Sequence, residues 1–201
     1  MNVIALSASP HKGGNSDTLL DQVISGLKDG KASVEKIRTH ELDVAPCSGC
    51  RACETEGKCC ITDDFQRLHD KLIVCDGVVF ASPLFFMNVP ARGKAVIDRF
   101  QVFWVAKHRL GIDLFNGRRR FGILVSCSGA GYGPGGSNIF RGIEDTMTYV
   151  FDSLGLEKLD SLLFRRIDKP GEIRENPEVL KQARETGIWL AEWGNKSFSS
   201  S

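Results

Sequence analysis

Residues 7–18 read S-A-S-P-H-K-G-G-N-S-D-T, between the apolar run Val3-Ile4-Ala5-Leu6 and a segment carrying Leu19, Leu20, Val23, Ile24 and Leu27. The apolar run suits a short buried strand, and the later spacing suits one face of a helix. A strand that turns through Ser, Gly and Asn into a helix makes an anion cradle. The helix N-terminus offers unpaired backbone N–H groups and a partial positive charge. The hydroxyls of Ser7, Ser9, Ser16 and Thr18 add donors, while Gly13 and Gly14 let backbone approach a phosphate closely. No Gly-Lys-Ser/Thr closes the loop, so it is not a Walker loop. An ordinary helix cap at Asn15 or Ser16 is the competing reading.

The chain has 201 residues, enough for one domain with a substantial core and short for two. Its net charge of +1 argues against general nucleic-acid binding, which needs a clear basic excess. The compact basic run Arg118-Arg119-Arg120 follows an Asn116-Gly117 turn and reads as a solvated loop. No apolar stretch approaches the ~20 residues of a membrane span, so no membrane partner is expected. The N-terminus enters the fold at once, with no basic leader or signal-type segment. Seven cysteines without an export signal point to a reducing cytoplasm and to metal or redox chemistry.

Residues 32–37 alternate weakly and suit a second strand. A cysteine-bearing loop runs from about Thr39 to Thr62. Asp63-Asp64 then open a helix with Phe65, Leu68, Leu72 and Ile73 on one face. Residues 78–81 form a third strand, ended by Ser82-Pro83, and 91 to about 105 read as helical. A fourth strand at 121–125 leads into the glycine-rich stretch 126–137. A helix follows from Ile139 to Leu154, with Gly155 as its C-terminal cap. The fifth strand lies within 158–167, and Pro177 opens a last helix to about Trp193, before a fraying tail at about 195–201. Five strands alternating with five helices imply one domain over 1–201, a three-layer α/β sandwich around a parallel sheet. Ligands of such a sheet gather beyond the strands' carboxyl ends, where loops begin at Ser7, Thr39, Ser82, Ser126 and Arg166.

The third loop reads Ser82-Pro83-Leu84-Phe85-Phe86-Met87-Asn88-Val89-Pro90. Its aromatics and methionine can wall a flat ring, though Phe85 and Phe86 as core residues is the competing reading. In the fourth loop, residues 131–136 formally match G-x-G-x-x-G. They lie on the wrong strand for a dinucleotide fingerprint, residues 126–130 separate them from the strand end, and Pro134 disfavours a turn directly into a helix. They suit a ligand wall or lid. His11 can bond a phosphate, a ring edge or solvent. His40, His69 and His108 have no metal spacing and read as surface, and Trp189 and Trp193 as core or interface anchors.

The motifs S-x-S-P-x-x-x-G-N-S and S-P-L-F-F-M-N-V-P…K…I-D-R, with the glycine-rich fourth loop, resemble the NADPH-dependent FMN reductase group of flavodoxin-like proteins, to about residue 165. The resemblance implies strand order 2-1-3-4-5 and non-covalent FMN. The first loop (Ser7, Ser9, Pro10, His11, Gly14, Asn15, Ser16, Thr18) would hold the phosphate. The ring would lie against Ser82, Pro83, Leu84, Phe85, Phe86, Met87 and Asn88, with further contacts from Ser126, Ser128, Gly129 and Gly131. Family members often carry Tyr in the third loop; Phe85 and Phe86 keep the stacking and remove a hydroxyl.

Cys47-x2-Cys50-x2-Cys53-x5-Cys59 is the sharpest signal. Thiolates are soft ligands, and a compact set of four cysteines suits a [4Fe–4S] cube, with Gly49 and Gly57 giving turning freedom. The motif resembles that of the iron–sulfur flavoproteins, a branch of the same family. By that resemblance Cys47, Cys50, Cys53 and Cys59 each ligate iron, with Cys60 an alternative fourth ligand. Free or redox-active thiols stay open. Zinc usually pairs two separated knuckles, and the compartment disfavours disulfides. Cys75 and Cys127 stand apart as packing residues.

The expected function is an FMN-dependent oxidoreductase, or a pure electron carrier, with the cluster passing electrons to or from the flavin. Its donor would be ferredoxin or NAD(P)H and its acceptor a small molecule such as a quinone. The resembling proteins are oligomers, which implies a homodimer or homotetramer, with Phe103 and Trp104 as exposed interface aromatics. The alternatives are a cluster-free NAD(P)H-dependent FMN or quinone reductase and a sensor whose cysteines respond to oxidation.

Overall fold

Every residue of strand β1 (Asn2–Ser7) after Asn2 is buried, as a central strand covered on both faces must be. The computed structural model describes residues 1–198. β1 pairs in parallel with β2 (Ser33–Arg38) on one side and β3 (Gly77–Pro83) on the other, and β3 pairs with β4 (Phe121–Ser128). The expected fifth strand is broken in two. β5 (Glu157–Lys158) pairs with the start of β4 and β6 (Leu162–Arg165) with its end. Leu159 still donates its N–H to the Gly122 carbonyl (2.9 Å), so the ladder loosens only at Asp160 and Ser161. The order β2-β1-β3-β4-β5 is the one expected, and the fold is flavodoxin-like.

Helices cover both faces. On one lie α1 (Asn15–Asp29) and α7 (Pro177–Phe198). Leu19, Leu20, Val23 and Leu27 of α1 share a core with Ala183, Leu190 and Ala191 of α7. The two helices cross closely at a pair of glycines. A Cβ on Gly26 would run into the Arg184 carbonyl, and one on Gly187 into the Val23 carbonyl. On the other face lie α3 (Phe65–Val74), α4 (Ala91–Arg99), α5 (Gln101–His108) and α6 (Arg141–Ser153), over a core that includes Phe65, Phe80, Phe100, Phe103 and Phe151. The helix expected over 91–105 is thus two helices, and the cysteine loop carries a short helix, α2 (Ala52–Glu56). The last helix outlasts its expected end at Trp193. Of the expected fraying tail, residues 199–201 lie outside the described residues. Among the described residues no helix is long and apolar enough to cross a membrane.

Three expectations change. Arg120 is buried, not solvated: its guanidinium donates to the carbonyls of Cys75 (2.8 Å), Leu154 (2.6 Å) and Leu72, and lies 4.3 Å from the Phe115 ring centroid. Three carbonyls replace the water that burial removes. Phe103 is 0% exposed and so offers no interface surface, while Trp104 is only half-buried. His69 is not plain surface either, because its ring stacks on Phe103 with centroids 4.7 Å apart.

Candidate functional site

The loops after β1, β3, β4 and β6 enclose a cleft of about 580 Å³ at the carboxyl edge of the sheet. From the first loop come Ser9, Pro10, His11, Gly14, Asn15 and Ser16; from the third, Pro83, Leu84 and Phe85; from the fourth, Ser128 and Gly129. Ser7, Thr18, Ser82, Phe86, Met87, Asn88, Ser126 and Gly131 lie outside this lining. Some of their hydroxyls are otherwise engaged. Ser7 Oγ donates to Asp17 Oδ1 (2.8 Å), Ser82 Oγ to the Pro83 carbonyl (2.8 Å) and Ser126 Oγ to the Ser82 carbonyl (2.7 Å).

Helix α1 starts from Gly14, whose backbone is extended (φ −69°, ψ 177°), and no side chain caps it. Asn15 clasps the fifth loop instead: Nδ2 donates to the Lys169 carbonyl (2.9 Å) and Oδ1 accepts the Ile173 N–H (3.3 Å). The first turn of α1 therefore meets the cleft without the side-chain oxygen that an ordinary cap places there. Asp17 braces the loop from behind. Its Oδ2 accepts the Gly13 N–H (2.8 Å), and its Oδ1 lies 3.0 Å from Lys36 Nζ and 2.9 Å from Arg38 Nη1. Burial opposes the charge on Asp17, but the bonds from Gly13, Lys36 and Ser7 together outweigh it and lower its pKa.

In the third loop, Phe85 and Asn88 exchange backbone hydrogen bonds (2.8 and 3.0 Å) across Phe86 and Met87. Both central residues have positive φ, 46° and 64°. Such a turn normally takes Asn-Gly, so a Phe-Met pair holds it under strain. Phe85 is 49% exposed and Phe86 fully exposed, which excludes the core reading of both. Asn88 Nδ2 donates to Thr146 Oγ1 (3.0 Å) and ties the turn to α6.

Cys47, Cys50, Cys53 and Cys59 line a second cavity, of about 230 Å³, together with Arg99 and Gln101. The left-handed backbone at Gly49 (φ 68°), Arg51 (φ 63°) and Gly57 (φ 65°) turns the chain around it. Cys60 is outside this lining, with its Sγ 3.3 Å from Cys50 Sγ. Burial pushes the Cys53 thiol up, and the neighbouring thiols of Cys47, Cys59 and Cys50 add to that. Among the described residues, no three Cys, His, Asp or Glu side chains stand close enough to share one metal ion. Four soft donors around a common cavity fit a polynuclear cluster, which keeps its ligands further apart than a single ion does. Arg99 floors the cavity. Nη1 donates to Asp63 Oδ2 (2.6 Å) and the Ala45 carbonyl (3.0 Å), and Nη2 to the Ile61 carbonyl (3.0 Å), which joins both ends of the loop.

Sequence reasoning missed the fifth loop's share of the cleft: Ile167, Asp168, Pro170, Gly171 and Arg174 all line it. The switch-point rule did place a loop after Arg166. No motif marked its residues. Cys127 is buried as expected, yet its Sγ lies 3.2 Å from Ser16 Oγ and it lines the cleft; burial pushes its pKa up.

Fold and site together define a flavodoxin-like α/β protein with an uncapped helix start in a cleft at the switch in strand order. Residues 1–137 match the model of the NADPH-dependent FMN reductase family, and the chain belongs to that family. It is 29% identical over 126 residues to an iron–sulfur flavoprotein of Methanosarcina thermophila, covering 61% of this chain and 66% of that protein. It is 33% identical over 116 residues to an iron–sulfur flavoprotein of Methanocaldococcus jannaschii, covering 58% of each. These relatives are consistent with the iron–sulfur flavoprotein branch of the family. The chain spans between about half and two thirds of the length of the curated relatives it matches. A solved NAD(P)H:quinone oxidoreductase from Methanothermobacter marburgensis superposes with a TM-score of 0.73 at 19% identity, covering 94% of this chain and 96% of that one; the likeness is one of fold.

Proposed function

We propose that this protein is an FMN-dependent oxidoreductase in which residues 1–201 form one flavin-binding domain, with a [4Fe–4S] cluster in the loop after β2. When bound, the flavin exchanges two-electron for one-electron steps and the cluster carries single electrons. The chain's own residues bind and orient. The first turn of α1, with Ser9 and Ser16, receives the phosphate, and Asp17 keeps that loop shaped. Pro83, Leu84 and Phe85 wall one side of the ring, and Ser128 and Gly129 the other. Cys47, Cys50, Cys53 and Cys59 are the iron ligands. Reduced ferredoxin or NAD(P)H is the donor, a quinone-like small molecule the acceptor, the cytoplasm the compartment and a homo-oligomer the assembly.

The observation that carries this reading is the presence together of an uncapped helix start in a cleft and, in the loop after β2, four thiols around one cavity. A second reading, a cluster-free reductase, is favoured by the approach of Cys50 Sγ to Cys60 Sγ at 3.3 Å. Iron and acid-labile sulfide per flavin, on protein purified without oxygen, separate the two. The first reading expects about four of each per FMN. Flavin without iron establishes the second, and protein without flavin removes both.

A further inference from the structure

The phosphate loop is met from across the cleft by residues 166–176, which lie beyond the 1–137 matched by the family model. Arg174 leaves the short turn Glu172–Glu175 and lays its guanidinium on that loop. Nη2 donates to the Gly13 carbonyl (2.8 Å) and to Thr18 Oγ1 (3.3 Å). Both acceptors are neutral, and among the described residues Arg174 makes no ion pair. Its guanidinium therefore stands beside the positive end of α1 without a carboxylate in ion-pair contact, while Asp17, behind the same loop, is engaged by the Gly13 N–H, Lys36 and Arg38. The cleft's lining carboxylate, Asp168, stands against Gly129 in the fourth loop.

The placement is built. Asn15 clasps the segment at Lys169 and Ile173, and Glu172 Oε2 accepts the N–H groups of Asp168 (2.7 Å) and Lys169 (2.8 Å). Gly171, with positive φ, leaves the guanidinium its room: a Cβ there would sit 2.9 Å from Nη1. A planar guanidinium pairs well with phosphate oxygens, and here it adds to the helix terminus from a second direction.

We propose that Arg174 binds the flavin phosphate and makes the cleft selective for FMN over riboflavin, with Thr18 positioning Arg174 from outside the cleft. The proposal rests on the flavin reading above. The test is fluorescence titration of the apoprotein with FMN and, separately, riboflavin, for the wild type, Arg174→Gln and Arg174→Lys. Arg174→Gln is expected to weaken FMN binding roughly ten- to a hundredfold, with riboflavin binding unchanged and Arg174→Lys restoring part of the loss. Equal weakening of both flavins would make Arg174 a clamp on the loop and overturn the proposal. So would unchanged FMN binding by Arg174→Gln, or a wild type that binds both flavins equally. A wild type that binds neither flavin overturns the flavin reading itself, and this proposal with it.

Discussion

Asp17 shows how one carboxylate shapes a loop it does not expose. It is buried, and it holds Ser7 and Gly13 by hydrogen bonds and Lys36 and Arg38 as ion pairs. Asp17→Asn leaves Lys36 and Arg38 with only their exposed carboxylates, Asp21 and Glu41, and is expected to cost about 2 kcal/mol at pH 7, read from urea denaturation. Because the folded-state pKa is lowered, this contribution is complete above about pH 4 and fades as pH falls through the folded value. The gap between variant and wild type should therefore narrow below that pH. A gap as wide at pH 3 as at pH 7 would remove the charge from the explanation. Residues of this kind are poorly legible in sequence. Arg120 reads as part of a solvated loop and Arg99 only as the end of the I-D-R motif, yet both are buried on backbone carbonyls supplied from distant parts of the chain.

Among the elements, the Phe86-Met87 turn departs furthest from what its backbone prefers. Two bulky residues at positive φ cost of order 1–3 kcal/mol each. Replacing both, Phe86→Asn with Met87→Gly, is expected to raise thermal stability by about 1 kcal/mol or more, measured as a higher Tm. If the strained turn serves the ring site, the same variant will bind FMN more weakly. A lower Tm would mean that the turn's contacts outweigh its strain. The strands and most helices were legible because their periodicities are strong. The broken fifth strand and the split of the 91–105 helix were not: the first depends on register with β4, and the second on how Phe100 seats in the core.

For the whole molecule, the α1–α7 crossing sets where the last helix lies. Gly187→Ala forces the helices apart against the Val23 carbonyl and is expected to cost about 2–3 kcal/mol, seen as an earlier urea midpoint. An unchanged midpoint would mean that α7 can slide without loss. That crossing also carries the segment bearing Arg174 to the mouth of the cleft. The strands themselves, the polar loop after β1 and the spacing of the cysteines were determined by sequence alone, because each depends on local pattern within a few residues; the strand order came through the family resemblance. Which side chains face the cleft, that Cys59 and not Cys60 lines the cavity with Arg99, and that Arg174 reaches Gly13 were decided only by tertiary structure. Those contacts join residues far apart in the chain, and no periodicity in a one-dimensional pattern records where two distant loops will meet.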